Sequence, residues 1–173
     1  MNARRVAAIG IFAALAYAGS FVLLALPNVT LSILIVFYAG FYLESLAGMA
    51  VGIIAALIIS LFNPYGLAPP PVLAAQVLGY ALVGLLGSGS RRLVDAASKA
   101  VRYVWLVLMG IVSALIYMTP VSVADAYLFG PFWERLALSA PFVLVTVGSN
   151  VLFFVILFPV LAKLKKLGIF PVN

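Results

Sequence analysis

Long apolar runs separated by short breaks containing polar residues, proline or glycine dominate this chain. Runs such as Val6–Leu26 and Leu46–Phe62 are continuously hydrophobic, whereas the strands of a membrane barrel alternate in polarity over about ten residues. Backbone groups in hydrocarbon must be hydrogen-bonded internally, so continuous runs favour helices. As a helix, the first run would span roughly 31 Å, enough to cross the hydrocarbon core. It is longer than the apolar core of a signal peptide, about 7–15 residues, so we expect it to be retained.

The breaks divide the chain into six predicted helices within a single domain, residues 1–173. The predicted bounds are Val6–Leu26, Thr30–Leu43, Leu46–Phe62, Val72–Leu86, Tyr103–Val123 and Leu136–Leu161. Proline, glycine and asparagine end the first and third helices, at Pro27-Asn28 and at Asn63-Pro64-Tyr65-Gly66, because these residues favour turns. Two longer connections are predicted, the polar stretch Gly87–Arg102 and the aromatic stretch Asp125–Arg135.

The distribution of basic residues predicts the orientation of these helices. With the amino terminus inside, nine of the ten Lys and Arg residues fall at inner positions and only Arg135 falls outside. The inner residues are Arg4, Arg5, Arg91, Arg92, Lys99, Arg102, Lys163, Lys165 and Lys166. An excess of Lys and Arg on the cytoplasmic side is typical of membrane proteins. We therefore expect an all-α integral membrane bundle of six transmembrane helices with both termini inside, a multi-pass protein of the cell membrane.

Composition agrees with this prediction and argues against several functions. The chain is 66% hydrophobic and 8% charged, with a mean hydropathy of +1.28, whereas soluble domains are about 25% charged. The net charge of +6 could indicate nucleic-acid binding, but the basic residues flank apolar runs, where they meet lipid headgroups. We therefore expect a lipid bilayer and no nucleic acid as partner.

Residue types needed for most catalysis are missing. Cysteine and histidine are absent, and the four acids Glu44, Asp95, Asp125 and Glu134 lie near predicted helix ends. No activated nucleophile, acid–base pair or metal site is indicated. The chain also lacks a phosphate-binding loop of the form Gly-x-x-x-x-Gly-Lys-Ser/Thr. We expect neither an enzyme nor a cofactor.

Polar and aromatic residues near the outer helix ends form a candidate binding site for a small, flat, polar molecule. Aromatic rings stack on such a molecule and amides read its edges. The candidate residues are Asn28, Asn63, Tyr65, Gln76, Tyr80, Tyr117, Asp125, Trp133, Glu134 and Asn150. Two structural alternatives remain open, since Tyr and Trp also form interfacial belts and amides also join neighbouring helices.

Small residues at every fourth position mark a second feature of the first helix. Gly10, Ala14 and Ala18 form a flat stripe that another helix can approach closely. The third helix repeats the pattern with Gly48 and Gly52. Either stripe could instead serve packing inside the six-helix bundle.

This layout resembles the S component, the substrate-binding subunit, of energy-coupling factor (ECF) vitamin transporters. Those subunits are six-helix proteins of similar length, and Ala14 and Ala18 match their Ala-x-x-x-Ala stripe. Pro27-Asn28-Val29 through Phe37-Tyr38-Ala39-Gly40, Gly48-x-x-x-Gly52 and Asn63-Pro64-Tyr65-Gly66 are also similar in layout.

The resemblance implies capture of a water-soluble vitamin or precursor from outside. It also implies that Gly10, Ala14 and Ala18 dock on a membrane T component, which works with a pair of cytosolic ATPases. The substrate itself stays open. Two alternatives remain, a scaffold protein resembling the cell-shape membrane protein MreD, and a small stand-alone carrier or channel.

Overall fold

Every regular element in the described part of the chain is helical. The computed structural model describes residues 3–43, 45–96 and 98–166, which leaves Glu44 outside the described residues. The six helices are α1 (Ala3–Phe21), α2 (Ser32–Leu43), α3 (Ser45–Leu61), α4 (Pro70–Ala96), α5 (Lys99–Phe129) and α6 (Phe132–Lys166). The prediction of an all-helical chain with six helices is thus confirmed.

Three of these helices are long and apolar enough to cross a membrane. The qualifying segments are Pro70–Arg91, Lys99–Phe129 and Phe132–Lys163, while Ser32–Leu43 and Leu46–Leu61 are apolar but shorter. Length and composition therefore support a membrane protein.

The observed helix ends differ from the predicted ones, because α1 ends earlier than predicted and three helices are longer. The helix α1 stops at Phe21, and the next residues form tight turns closed by hydrogen bonds from Leu24 N to Phe21 O and from Leu26 N to Leu23 O. By contrast, α4, α5 and α6 extend well beyond their apolar runs. The prediction of long connections at 87–102 and 125–135 was wrong because hydropathy changes where the surroundings become polar, whereas backbone hydrogen bonding continues into the polar segment.

The short helix α2 lies at the centre of the bundle. It packs against all five other helices, and nearly all of its side chains are buried. Phe37 on α2 meets Phe154 of α6 edge to face, with ring centroids 4.9 Å apart. At 12 residues, α2 would be only about 18 Å long, so its position depends on the longer helices around it.

Glycines bring α2, α3 and α4 into backbone contact. A Cβ added to Gly40 would lie 1.9 Å from the Gly84 carbonyl oxygen, and one added to Gly84 would lie 2.2 Å from the Gly48 carbonyl oxygen. On the next turn of α3, a Cβ on Gly52 would lie 2.3 Å from the Tyr80 carbonyl oxygen. Only glycine permits this approach, so Gly48 and Gly52 serve packing inside the bundle.

Consecutive helices run in opposite directions, which gives the bundle two distinct ends. At the end where α1 begins, Arg5 Nη2 donates to the Leu43 carbonyl at the close of α2. We call this the basic end, because the described side chains of Arg4, Arg5, Arg91, Lys99, Arg102 and Lys163 lie there. Arg135 lies near the start of α6, at the opposite end.

Candidate functional site

A cavity of about 420 Å³ at the opposite end brings together half of the predicted site residues. The α1–α2 connection, the α3–α4 connection and side chains from α3 to α6 line it. The predicted residues in its lining are Asn28, Asn63, Tyr65, Tyr80 and Tyr117. We call this space the polar cavity. Its size falls within the usual range for small-molecule sites, about 300–1,000 Å³.

A tight turn in the α1–α2 connection shapes one wall of the polar cavity. Val29 N donates to the Leu26 carbonyl at 3.2 Å, and Asn28 has a φ of 61°. Pro27 at the second position and a left-handed Asn at the third are the pattern of a type II turn. Thr146 of α6 donates from its hydroxyl to the Asn28 carbonyl at 3.0 Å, which fixes the turn against the bundle.

A second turn forms the wall that the α3–α4 connection contributes. Gly66 N donates to the Asn63 carbonyl at 3.0 Å, and Tyr65 N donates to the Asn63 side-chain oxygen at 2.9 Å. Asn at the first position, Pro64 at the second and Gly at the fourth match a type I turn. The Asn63 side chain therefore stabilises its own turn with its oxygen, and its NH₂ group remains as a donor.

Hydroxyl groups and two tilted phenol rings form the floor of the polar cavity. The Tyr80 hydroxyl shares a hydrogen bond of 2.5 Å with Ser32 Oγ, which in turn shares one of 2.7 Å with Thr30 Oγ1. The rings of Tyr80 and Tyr117 lie 4.4 Å apart between centroids. Tyr80 is only 2% exposed, so its position on α4 is set by the bundle and not by an interfacial belt.

Two predicted amides, the partly exposed Gln76 and the buried Asn150, do not line the polar cavity. Asn150 is fully buried and donates from Nδ2 to the Thr146 carbonyl at 2.9 Å. Its Oδ1 and the Gln76 Oε1 are both buried without a hydrogen-bond partner among the described residues. Leaving such an atom unpaired costs about 1–3 kcal/mol. Asn150 lies one helical turn from Thr146, whose hydroxyl donates to the Asn28 carbonyl and so stabilises the Asn28 turn.

The three remaining predicted residues lie near the junction of α5 and α6, outside the polar cavity. Asp125 pairs with Arg135 at 2.7 Å, and both line a neighbouring cavity of about 600 Å³ that shares Asn28 with the polar cavity. Trp133 is 77% exposed. Glu134 is an exposed acid in the first turn of α6, where its negative charge interacts favourably with the helix dipole and stabilises the helix.

Sequence reasoning missed several hydroxyl residues of the site. Ser20, Thr30 and Thr146 line the polar cavity, and Ser32 supports Tyr80 from behind. Ser and Thr occur throughout the helices, and a hydroxyl in a helix often bonds to the carbonyl four residues earlier. The single Thr146 proton is shared in this way between the Phe142 and Asn28 carbonyls, each 3.0 Å away. The residue types alone therefore carried no signal.

None of the described side chains that line the polar cavity is charged. Its polar groups are the hydroxyls of Ser, Thr and Tyr, the amides of Asn, and the backbone of two turns. Such a surface can donate and accept hydrogen bonds and can stack on a ring, but it offers no partner for a formal charge.

The small-residue stripe of α1 lies on the outside of the bundle. Gly10, Ala14 and Ala18 are exposed, and a Cβ on Gly10 would meet nothing within 4 Å. Ile11 and Leu15 beside them are 49% and 45% exposed. This face is thus apolar and exposed within the described part of the chain.

No protein-family model matches the chain, and searches among curated proteins and among solved structures found no match.

Proposed function

We propose that this chain is the substrate-binding S component of an ECF-type importer and that it captures an uncharged, water-soluble vitamin or precursor. The main support for this proposal is the polar cavity. It collects amide, hydroxyl and aromatic groups from both outer connections and from α3 to α6, at the end of the bundle opposite the basic residues.

Charge distribution supports an orientation in which the polar cavity faces outward. The basic end carries six described Lys and Arg side chains, and Arg135 lies at the other end. Under the positive-inside rule the basic end is cytoplasmic. The six helices then form a bundle embedded in the cell membrane, with the short α2 surrounded by the longer helices, and substrate enters from the side that faces the medium.

The lining of the polar cavity supports the chemistry of the ligand. Tyr65, which is 79% exposed, offers a ring face, the turn at Asn28 offers an amide, and Thr30 offers a hydroxyl. A planar ring with hydrogen-bonding edges fits this set. A carboxylate or a fixed cation would lose its hydration in the cavity without gaining a counter-ion. We therefore favour an uncharged heteroaromatic compound.

The exposed face of α1 supports the partnership that an S component needs. Small residues at positions 10, 14 and 18 allow another helix to approach closely. We propose that this stripe docks on a T component, which couples the chain to a pair of cytosolic ATPases. A substrate-binding subunit of this kind would bind its ligand alone and accumulate it only in the complex.

Native mass spectrometry of the detergent-purified protein tests the proposal. We expect a co-purified or added uncharged vitamin-like compound at one molecule per chain. Leu24→Trp should abolish this binding, because Leu24 lines the polar cavity and is already 40% exposed. Leu57→Trp is the matched control, since Leu57 is 39% exposed and lies outside the cavity lining.

An empty protein that binds no member of a vitamin panel would contradict the proposal and favour the MreD-like scaffold. Equal binding by both variants would place the ligand elsewhere. Energy-driven uptake by the isolated, reconstituted chain would favour the stand-alone carrier.

A further inference from the structure

A second cavity, of about 420 Å³, lies between α5 and α6 at the basic end. Lys99 and Arg102 at the start of α5 and Lys163 near the end of α6 line its mouth, and all three are exposed. Leu106 and Phe158, which are 1% and 2% exposed, line its floor. We call this space the basic cavity. It has no described carboxylate in its lining.

Lys99 at the mouth of the basic cavity lies at the positive end of a helix dipole, which is an unfavourable position for a cation. Lys99 and Arg102 are three residues apart on one helix and so share a face. They lie in the first turns of α5, which carries no acid in its first turn. A helix N-terminus has a partial positive charge, so Lys99 at this terminus and Lys163 across the cavity raise the local potential together. An anion at the mouth would relieve this repulsion.

The floor of the basic cavity indicates what kind of anion fits. A free inorganic anion would use only the charged mouth, whereas the space continues between Leu106, Phe158 and Pro159 into apolar surroundings. A molecule with a phosphate at one end and a hydrocarbon chain at the other would match both parts. Basic pockets between helices at a membrane surface bind anionic headgroups in this way.

We propose that the basic cavity is a binding site for one anionic phospholipid, with its phosphate between Lys99 and Lys163 and an acyl chain along Leu106 and Phe158. The lipid joins the start of α5 to the end of α6. This site does not depend on the polar cavity, which lies at the other end of the bundle.

Fluorescence of Trp105 can report on this site directly. The chain has two tryptophans, so Trp133→Phe leaves Trp105 as the only one. Its ring lies 5.9 Å from the Phe158 ring in the cavity floor. Vesicles containing brominated phosphatidylglycerol are compared with vesicles of the same headgroup composition in which phosphatidylcholine carries the bromine. We expect stronger quenching by brominated phosphatidylglycerol.

Two double variants separate the site from general attraction to a charged surface. In the Trp133→Phe background, Lys99→Gln with Lys163→Gln should lower the preference for phosphatidylglycerol roughly 25-fold, because each lysine near an anionic lipid contributes roughly fivefold. Arg4→Gln with Arg91→Gln removes the same charge from the same end outside the cavity lining and should leave the preference intact.

Three results would overturn the proposal. Equal quenching by the two brominated lipids would show that no site selects the anionic lipid. An equal loss of preference in both double variants would show a general surface effect. Loss of the preference on adding inorganic phosphate, but not on adding chloride at the same ionic strength, would show that the mouth takes a free phosphate and not a lipid.

Discussion

Gly84 on α4 allows a direct test of how closely the central helices approach. A Cβ at this position would lie 2.2 Å from the Gly48 carbonyl oxygen and 2.6 Å from its carbonyl carbon, whereas ordinary contact begins at 3.4 Å. Backbone atoms cannot rotate away as the end of a side chain can, so α3 and α4 would have to separate by roughly 1 Å. We expect Gly84→Ala to destabilise the bundle.

The cost can be estimated from two opposing terms. Overpacking of a well-packed interior costs about 1–3 kcal/mol, and contact with backbone puts Gly84→Ala at the upper end of that range. Alanine in a helix recovers about 1 kcal/mol relative to glycine. The free energy of unfolding should therefore fall by about 2 kcal/mol, which for a chain of this length lowers Tm by about 4–8 °C.

Gly89→Ala, on the same helix, is the matched control. A Cβ on Gly89 would meet nothing within 4 Å, so only the gain in helix propensity remains and Tm should stay constant or rise by up to about 4 °C. Thermal unfolding in detergent, followed by circular dichroism, measures both variants. If the Gly84→Ala variant has a Tm equal to or higher than that of the Gly89→Ala variant, α3 and α4 do not pack as closely as the structure indicates.

Three further predictions concern the candidate site and the exposed stripe. Asn28→Ala should cost about 1–2 kcal/mol of stability because Asn28 has a left-handed backbone, whereas Asn28→Gly should not; a loss of ligand binding in both variants, measured by titration calorimetry, would assign the side chain to ligand contact. Asn150→Leu should raise Tm of the ligand-free protein, because it removes a buried oxygen without a partner; a lower Tm would show that Oδ1 is satisfied. Ala14→Trp should abolish uptake by the assembled transporter and leave ligand binding unchanged, since Ala14 is exposed; a loss of binding would mean that the stripe serves internal packing.

The turns that line the polar cavity were predictable from the sequence. Asn28 and Asn63 stand beside prolines at the ends of apolar runs, and few backbone conformations suit such segments. Their placement at one end of the bundle follows from the alternating direction of consecutive helices. Tyr80 was predicted because it lies one turn from Gln76 on the same helical face, although its burial behind Ser32 could not be known.

Gln76 and Asn150 show where this kind of reasoning stops. Both were chosen because buried amides are costly in an apolar environment, and both do hold a buried oxygen without a partner. Neither lines the polar cavity, because helix rotation decides which way a side chain points. Ser20 of α1 and Thr146 of α6 line it for the same reason, whereas Thr30 lies in the connection between α1 and α2.

The sequence by itself determined that the chain is helical, because continuous apolar runs must hydrogen-bond internally wherever water is excluded. It also determined which end of the bundle is basic, since charge positions follow directly from helix order. Only the tertiary structure decided the roles of two similar stripes. Gly48 and Gly52 lie against the backbone of α2 and α4, while Gly10, Ala14 and Ala18 remain exposed. Small residues permit close approach but do not select the partner, which depends on how all six helices pack.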